Sequence, residues 1–291
     1  MSTQALLLER FPSLSPKLQA AARFVVDHPN EVVTMSMRAI AERACTQPAT
    51  LVRLAQQLGF AGWPELKDGF VADLGLHSTS YGARAKSLAG RAQDAGLVGE
   101  MFTAQQENLR ATEATSAKAL RAVARILKKA RVVHVAGFRA SYPIAWSLTY
   151  GYRLFRDSVA SIDGHAGGLE MQLRAIERSD AVVAISFAPY SREALEVVEA
   201  ARTAGARVVA ITDSSASPLA LAADATVLFA SASPSFFPSI GAAIAAAEAL
   251  LEILVADAGA ATARRIDAAE QILFETGAYL QRPLRRNHLG L

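Results

Sequence analysis

Residues 131–137 read RVVHVAG, the first of five short runs in which β-branched residues predominate. The other four runs are SVASI (158–162), DAVVAIS (180–186), ARVVAIT (206–212) and ATVLFA (225–230). Helical patterns separate the first four runs, at 142–155, 166–178 and 191–204, whereas 217–222 is long enough for only a turn or two. Strands that alternate with helices predict a parallel sheet with helices on both faces. The chain after residue 131 is therefore expected to form an α/β domain with a doubly wound parallel sheet.

The first 76 residues, by contrast, show only helical patterns. Ser36 can cap a helix that ends at a short break at 45–47. Pro48 fits the first position of the next helix, and Gly59 is expected in the C′ position just after it. A further helix is expected from Pro64 to about Leu74. This part is therefore predicted to be an all-α domain.

Residues 77–96 are polar, contain glycine and serine and lack apolar periodicity, so we expect a linker there, followed by a helix at 97–129. The net charge of +3 is unevenly divided along the chain. Residues 1–80 are neutral, 81–130 carry +5, 131–280 carry −5 and the last eleven residues carry +3. A basic cluster can contact a polyanion, but a solvated helix face is the commoner reason for one, and both interpretations stay open.

The composition excludes several classes of protein. The chain has 291 residues, 52% hydrophobic and 20% charged, enough for a sizeable core in one large or two ordinary domains. The single cysteine, Cys45, excludes a disulfide framework and argues against a Cys/His zinc site. Only four apolar residues in a row precede Glu9, so we expect neither a signal peptide nor an anchor. The apolar stretch 242–256 contains two glutamates and is shorter than the ~20 residues of a spanning helix. We expect a cytoplasmic protein with no cofactor and no metal.

The two helices on either side of the 45–47 break have the spacing of a helix-turn-helix. Leu51 and Leu54 of the second helix lie on one side, where they can pack on the first, and polar residues lie on the other. An arginine there can bind guanine or phosphate, and glutamines suit adenine edges. An ordinary αα-hairpin has the same spacing, and a neutral segment argues against strong contacts with DNA phosphates. The residues predicted to contact DNA are Arg38, Gln47, Ala49, Thr50, Arg53, Gln56 and Gln57.

Four motifs between residues 14 and 67 carry a family resemblance: AIAERA (39–44), PATLVR (48–53), LGF (58–60) and GWPELK (62–67). With them, this part of the chain resembles the N-terminal domain of the RpiR/MurR family of bacterial transcription regulators. The family usually has serine where this chain has Gln47. Serine is a strong N-cap and glutamine a weak one, so Gln47 either contacts a base or leaves its helix less firmly capped.

Ligands of a doubly wound sheet bind beyond the C-terminal ends of its strands. Three loops there are rich in hydroxyl groups and lead into helices: GFRAS (137–141), SFAPYS (186–191) and TDSSASP (212–218). Backbone N–H groups and the helix dipole at such positions favour an anion. Single serines there are often only N-caps, but three such loops at one edge favour a binding site. The residues predicted to bind a small anionic effector are Arg139, Ser141, Ser186, Tyr190, Ser191, Ser214 and Ser217.

Residues 120–255 resemble a SIS (sugar isomerase) domain, which implies that they bind a phosphosugar effector. On this resemblance, Ser141 matches the serine that ends the first glycine-rich loop. Ser186 and Ser191 match the first serine and the threonine of the family's Ser-x-Ser-Gly-x-Thr loop.

The SFAPYS loop departs from that pattern at two positions. Ala188 has no hydroxyl and Pro189 has no N–H, so two phosphate donors are lost. Tyr190 and Arg139 offer replacement donors. A carboxylate or a different anion is therefore an alternative to a phosphosugar.

A SIS isomerase needs a general base beside the sugar, and the local candidates are His134, His165 and Glu170. His134 lies in a strand and is expected to be a core histidine, His165 is expected in a loop, and Glu170 on a solvated helix face. No pair of them is fixed by spacing, so we expect no enzyme. A SIS-type sugar-phosphate isomerase and a sugar-sensing adaptor that does not bind DNA remain the alternatives.

The chain is therefore predicted to be a transcription regulator with four segments. These are a DNA-binding domain (1–77), a linker (78–103), a SIS effector-binding and dimerisation domain (104–258) and a C-terminal helix and tail (259–291). The expected partners are double-stranded DNA with a near-palindromic operator, a small anionic effector and further copies of the chain, as a homodimer or homotetramer. The helix at 242–256 is expected to be either a close-packed dimer helix or a core helix.

Overall fold

The N-terminal part of the chain is helical throughout its described residues. The computed structural model describes residues 2–73, 81–91 and 93–280. The helices of the first range are α1 Thr3–Arg10, α2 Pro16–Asp27, α3 Pro29–Thr34, α4 Met37–Arg43, α5 Pro48–Gln57 and α6 Trp63–Asp73. The predicted all-α domain is confirmed. The predicted end of the last helix near Leu74 lies outside the described residues.

One apolar core joins these helices. Leu7 of α1, Ile40 of α4, Leu51 and Leu54 of α5 and Phe70 of α6 are almost completely buried within it. Fully burying one such side chain stabilises the folded state by ~1.5–3 kcal/mol relative to leaving it exposed. Because α5 places its leucines in this core, its opposite face is left for solvent.

The predicted ends of the helices around α5 are confirmed. Ser36 Oγ accepts the N–H of Ala39 at 3.3 Å and so caps α4. Gly59 follows α5 with φ 92°, a conformation that glycine adopts without steric cost. The N–H of Phe60 then returns to the carbonyl of Ala55 at 3.0 Å.

Two helices follow before the sheet begins, in the part of this stretch that the structure describes. Helix α7, Tyr81–Leu88, lies inside the stretch predicted as a linker, so part of that stretch is helical. The ring of Tyr81, its first residue, packs on that of Phe237, with centroids 5.3 Å apart. A contact between residues so distant in sequence cannot be predicted from a local pattern. Helix α8, Leu97–Lys129, has 33 residues and a length of ~50 Å. The predicted boundary between residues 103 and 104 falls inside α8.

The middle turns of α8 present polar side chains to the rest of the chain. The side-chain amide of Asn108 donates to the carbonyl of Ala232 at 2.7 Å and accepts the N–H of Ala232 at 3.1 Å. One turn later, Thr112 Oγ1 accepts the N–H of Ala230 at 2.9 Å. These bonds fix the segment after the last strand against α8.

A five-stranded parallel sheet lies at the centre of the second part. Its strands are β1 Val133–Gly137, β2 Val159–Ile162, β3 Ala181–Ile185, β4 Arg207–Thr212 and β5 Ala225–Leu228. Their order in the sheet is β2-β1-β3-β4-β5, and every neighbouring pair is parallel. Each strand lies in one of the five predicted runs. The order reverses between β1 and β3, which is where doubly wound sheets bind ligands.

Helices cover both faces of the sheet. On one face lie α8, α9 (Tyr142–Arg153) and α13 (Gly241–Ala258), and on the other lie α10 (Leu169–Arg174), α11 (Arg192–Ala204) and α12 (Pro218–Ala222). Successive residues of β1 alternate between the two layers, with Val135 in the first and Ala136 in the second. The predicted doubly wound α/β architecture is confirmed.

Helix α13 is a core helix. Ala243, Ala247 and Leu250 are completely buried, and the helix packs on α8 and α9. Of the two roles predicted for this apolar stretch, the structure therefore supports the core role. Helix α14, Ala260–Glu275, follows and contacts α13. Within residues 2–73, 81–91 and 93–280, no helix combines the length and the apolarity needed to cross a membrane.

Candidate DNA-binding face and effector-binding loops

The turn between α4 and α5 is closed by backbone hydrogen bonds. The N–H of Thr46 donates to the carbonyl of Ala41 at 2.8 Å, and the N–H of Cys45 donates to that of Glu42 at 3.0 Å. This pair of bonds defines a Schellman helix end, with Cys45 in the C′ position. Cys45 accordingly has φ 48°, in the left-handed region that glycine favours. The turn fixes the direction in which α5 leaves α4.

Helix α5 presents a polar face to solvent. Arg53 is exposed, and in the described part of the chain its guanidinium has no ion pair or hydrogen bond. Gln47 is the exposed N-cap residue of α5, and its side chain makes no capping bond to the helix. The predicted contact residues that the structure leaves exposed are Arg38, Gln47, Ala49, Arg53, Gln56 and Gln57.

Thr50 does not belong to this face. Thr50 is predicted to lie on the polar face of the helix, but only 5% of its surface is accessible. Thr50 precedes Leu54 by four residues, so both side chains project towards the same side of α5. The predicted exposure of Thr50 is therefore wrong, and the residue belongs to the packed side of the helix.

Two contacts hold the neighbouring segments in place. On α4, the Nε of Arg43 lies 2.9 Å from Oε2 of Glu31. Lys67, the last residue of the GWPELK motif, donates from Nζ to the carbonyl of Met35 at 3.0 Å. Burial lowers the pKa of Lys67, although the neighbouring Asp68 opposes the shift. The lysine of this motif therefore anchors the end of α3, next to the start of α4.

The three predicted effector loops begin side by side at the carboxyl edge of the sheet. Gly137 at the end of β1 is level with Ile185 of β3, which is level with Ile211 of β4. Gly137 has no room for a side chain, because a Cβ would lie 2.6 Å from Cβ of Ala145 and 2.8 Å from the carbonyl oxygen of Ser141. The first turn of α9 therefore approaches β1 closely and brings Ser141 to this edge.

Several of the predicted serines are engaged by the chain itself. Ser191 Oγ accepts the N–H of Ala194 at 3.2 Å, and Ser217 Oγ accepts the N–H of Ala220 at 3.0 Å, so both cap helices. Ser186 Oγ accepts the N–H of Ser191 at 3.1 Å. A hydroxyl that accepts one bond still has a proton to donate. These serines can therefore serve as caps and as neutral donors at once.

The other two serines differ from these. Ser141 is buried and makes no capping bond to α9. Ser214 is half-buried and accepts the N–H of Ala216 at 3.1 Å, within its own loop. The structure thus places all five serines at the edge where they are predicted.

Asp213 is a residue of this edge that the sequence reasoning missed. Its Oδ1 accepts the hydroxyl proton of Tyr190 at 2.9 Å, and its Oδ2 accepts the N–H of Ala188 at 3.2 Å. Burial, reinforced by the charge of Asp213, raises the pKa of Tyr190, so the phenol stays protonated. The carboxylate therefore uses two donors of the SFAPYS loop. Its position directly after a strand was the signal in the sequence that could have identified it. A prediction that looks only for groups that donate hydrogen bonds to an anion leaves carboxylates out.

Arg139 is held by a second carboxylate. Its Nη2 lies 2.7 Å from Oε1 of Glu193, in the first turn of α11. Burial alone would raise the pKa of Glu193, but a backbone N–H and the Arg139 guanidinium outweigh it and lower that pKa. Glu193 therefore stays ionised. The side chain of Arg139 is 74% exposed, so solvent and solutes reach this ion pair.

The three loops are consequently joined by two carboxylates and one guanidinium. Asp213 ties the loop after β4 to the loop after β3, and Glu193 ties Arg139 to α11. An anion at this edge either displaces Glu193 from Arg139 or relies on neutral donors. An exposed ion pair is worth only ~0–1 kcal/mol, so such an exchange costs little.

None of the three candidate general bases belongs to these loops. His134 lies near the amino end of β1, where its Nε2 is 3.0 Å from Oδ2 of the buried Asp180. It is a core histidine with a partner, as predicted. His165 and Glu170 are both exposed, and Glu170 lies 3.9 Å from Arg174 on its own helix.

Known protein families match both parts of the chain. Residues 6–74 match the helix-turn-helix domain of the rpiR family, and residues 126–253 match the SIS domain. A relative from Caldanaerobacter subterraneus subsp. tengcongensis, described as an uncharacterized HTH-type transcriptional regulator, is 26% identical over 247 residues. The matched region covers 80% of this chain and 81% of the relative.

Two solved structures share the fold. The sugar isomerase domain of an RpiR transcription factor from Sphaerobacter thermophilus matches 63% of this chain and 99% of its own, with 24% identity and a TM-score of 0.55. The Vibrio vulnificus NanR protein, complexed with ManNAc-6P, matches 94% of this chain and 99% of its own, with 17% identity and a TM-score of 0.57. At these identities the likeness establishes the fold.

Proposed function

The chain is an RpiR-type regulator, with a helix-turn-helix domain followed by a SIS domain, and we propose that a small anionic metabolite controls its binding to operator DNA. The exposed face of α5 would contact the DNA. The three loops at the carboxyl edge of the sheet would bind the metabolite. The protein would act in the cytoplasm, as a homodimer or homotetramer.

The exposed guanidinium of Arg53 is the observation that best supports the DNA-binding proposal. This guanidinium is exposed on the helix that follows the turn and has no partner among the described residues, and exposed glutamines lie on the same face. Arginine suits guanine or phosphate, and glutamine suits adenine edges. Dimers of this motif contact half-sites about one helical turn apart, so the operator should be near-palindromic.

The effector proposal rests on the pair formed by Arg139 and Glu193. A carboxylate or phosphate on the metabolite would take the place of the Glu193 carboxylate on the Arg139 guanidinium. Serine hydroxyls would supply neutral donors nearby. The NanR protein, whose structure contains ManNAc-6P, supports a phosphosugar as one class of effector. Asp213 favours an effector with few negative charges, because like charges repel at this edge.

Helix α11 offers a route from this site to the DNA-binding domain. Glu193 lies in its first turn, and further along the same helix Oε1 of Glu199 lies 4.0 Å from Nη1 of Arg43 on α4. Releasing Glu193 would change the restraint at one end of α11. The metabolite must bind one arrangement better than the other, since equal binding shifts no equilibrium.

We also propose that the protein does not catalyse sugar isomerisation. His134, the buried candidate base, is paired with Asp180 away from the three loops. The carboxylates nearest the loops are engaged by Arg139, Tyr190 and the N–H of Ala188. Turnover of any phosphosugar by the purified protein would contradict this.

The test is selection of bound sites from a random DNA library by the purified protein. Arg53→Ala is compared with Arg110→Ala, which removes the same charge from an exposed position on α8 that has no ion pair within the described ranges. We expect a two-fold-symmetric site that Arg110→Ala still selects and Arg53→Ala does not. If both variants selected the same site equally well, α5 would not be the recognition helix.

A further inference from the structure

A recess lies at the amino edge of the sheet, where the strands begin. It is formed by the last turns of α8, the loop before β3 and the starts of β4 and β5, and its volume is about 500 Å³. Strand β4 begins there with Arg207 and ends with Thr212 at the effector loops, so the two edges are ~16 Å apart. Small-molecule sites usually measure ~300–1,000 Å³. The recess is therefore large enough for a ligand and separate from the effector loops.

Basic side chains predominate around this recess. Among the described residues that line it, the charged ones are Arg125, Lys129, Arg178, Arg207, Asp180 and Asp224. We refer to Arg125, Lys129 and Arg178 together as the cationic cluster. All three are exposed, and in the part of the chain that the structure describes none of them has an ion pair or a hydrogen bond. Their charges are therefore available to a ligand.

The two carboxylates of the recess are engaged by other partners. Oδ2 of Asp180 lies 3.0 Å from Nε2 of His134, and its Oδ1 lies 3.0 Å from Nε of Arg131. Oδ1 of Asp224 lies 2.6 Å from Nη1 of Arg207, and its Oδ2 accepts a backbone N–H of β4 at 2.8 Å. Burial alone would raise the pKa of both carboxyls, but these donors outweigh it and lower the pKa of each. Neither carboxylate is left to neutralise the cationic cluster.

The cationic cluster is drawn from two separate parts of the chain. Arg125 and Lys129 are four residues apart on α8, so they project from the same side of that helix. The stem of Arg178 lies against Gly205, because its Cγ is 3.5 Å from the place that a Cβ of this glycine would occupy. A cation near a helix C-terminus is favoured by the helix dipole, which accounts for Lys129. It does not account for Arg178, which lies outside α8, so a solvated helix face does not explain the cluster.

We propose that this recess binds a phosphorylated small molecule that carries at least two negative charges. Arginine and lysine both bind phosphate, and a phosphate group offers oxygens in several directions to cations that approach from different elements. A carboxylate offers only two oxygens in one plane. Ala122, Ile126 and Ala225 form an apolar wall beside the charges, suited to the organic part of such a molecule. A DNA duplex carries the same phosphate chemistry but is too wide to enter a recess of this size.

This second anion site does not depend on the function proposed above. The effector loops lie at the opposite edge of the sheet and use Arg139, whereas the recess uses the cationic cluster. The excess of basic residues between 81 and 130 includes Arg125 and Lys129. Of the two interpretations that the sequence leaves open for this excess, the recess supports contact with an anion.

Calorimetry of the full chain with inorganic pyrophosphate tests the site at ~0.15 M salt, where distant exposed charges are screened. We expect Arg125→Ala to weaken binding about tenfold or more, the effect of removing a charged hydrogen-bond donor. Arg110→Ala is the matched control, because it removes the same charge from an exposed position on the same helix that has no ion pair in the described ranges. It should bind pyrophosphate as the unchanged chain does.

Three results of this titration would overturn the proposal. The first is that the unchanged chain does not bind pyrophosphate. The second is that Arg125→Ala and Arg110→Ala weaken binding equally. The third is that Arg139→Ala loses the binding and Arg125→Ala retains it, which would place the pyrophosphate at the effector loops.

Acetylation of lysine amines, followed by mass spectrometry, gives a second measurement on the unchanged chain. Lys129 is compared with Lys118, which is exposed on the same helix but does not line the recess. We expect saturating pyrophosphate to slow the acetylation of Lys129 at least fivefold and to leave that of Lys118 unchanged. Equal protection of both lysines would contradict the site. Protection of Lys129 by a random-sequence DNA duplex and not by pyrophosphate would assign the surface to DNA and likewise overturn the proposal.

Discussion

Replacing Cys45 by glycine is expected to stabilise the helix-turn-helix domain. Cys45 has φ 48°, and a residue with a Cβ loses ~1–2 kcal/mol in the left-handed region. Glycine removes that cost but makes the unfolded chain more flexible, which offsets ~0.4–1 kcal/mol. Both hydrogen bonds of the turn come from backbone N–H groups, so they survive the change. The expected net gain in the free energy of unfolding is about 0.5–1 kcal/mol.

Thermal unfolding of the full chain, followed by calorimetry, measures this gain. For a domain of about 70 residues, a gain of this size raises Tm by roughly 2–8 °C. Cys45→Ala is the matched control, because it removes the thiol and keeps the Cβ at the same φ. Its Tm should stay close to that of the unchanged chain. A lower Tm for Cys45→Gly, or the same rise in Cys45→Ala, would show that backbone strain at this turn is not the cause.

Four further substitutions test the second domain. Asp180→Asn should lower the free energy of unfolding by about 3 kcal/mol at pH 7, because it disrupts a buried network with His134 and Arg131. Burial alone would raise the pKa of Asp180, but the Glu177 N–H, His134 and Arg131 together lower it, so this stabilisation is present above pH ~4 and is lost as pH falls further. Urea titrations at pH 7 and pH 3 should therefore show a smaller difference between the two chains at pH 3, and an unchanged difference would refute the assignment. Glu193→Gln should tighten binding of an anionic effector up to about fivefold, and Arg139→Ala should weaken that binding. Calorimetry with a panel of sugar phosphates and sugar acids measures both affinities. An unchanged affinity in both variants would show that the effector does not bind at Arg139. Tyr190→Phe should remove one late-ionising tyrosine from an ultraviolet titration, because burial and Asp213 raise the pKa of Tyr190. An unchanged late part of the titration would contradict the contact with Asp213.

The strands of the sheet could be predicted because each is a compact run of β-branched residues bounded by helical patterns. The same holds for the capped ends at Ser36 and Gly59, where a single residue type suits the local geometry. Such features depend on the neighbouring residues alone. The doubly wound arrangement then follows from the alternation of strands and helices.

Other features depend on contacts between distant parts of the chain. Helix α7 is anchored by the ring of Phe237, which lies more than 150 residues away from Tyr81, so its polar sequence gave no sign of order. The roles of Asp213 and Glu193 likewise arise only when separate loops meet. Thr50 differs from these cases, because its position four residues before Leu54 already indicates the packed side of α5.

The two bonds between Asn108 and Ala232 also limit how far α8 can move relative to the sheet. One side-chain amide holds both the N–H and the carbonyl of Ala232, and Thr112 repeats the contact one turn further along α8. If α8 moved along its axis by one turn, ~5.4 Å, these backbone groups would lose their hydrogen-bond partners. Helix α8 therefore cannot slide along the segment that follows β5 without breaking these bonds.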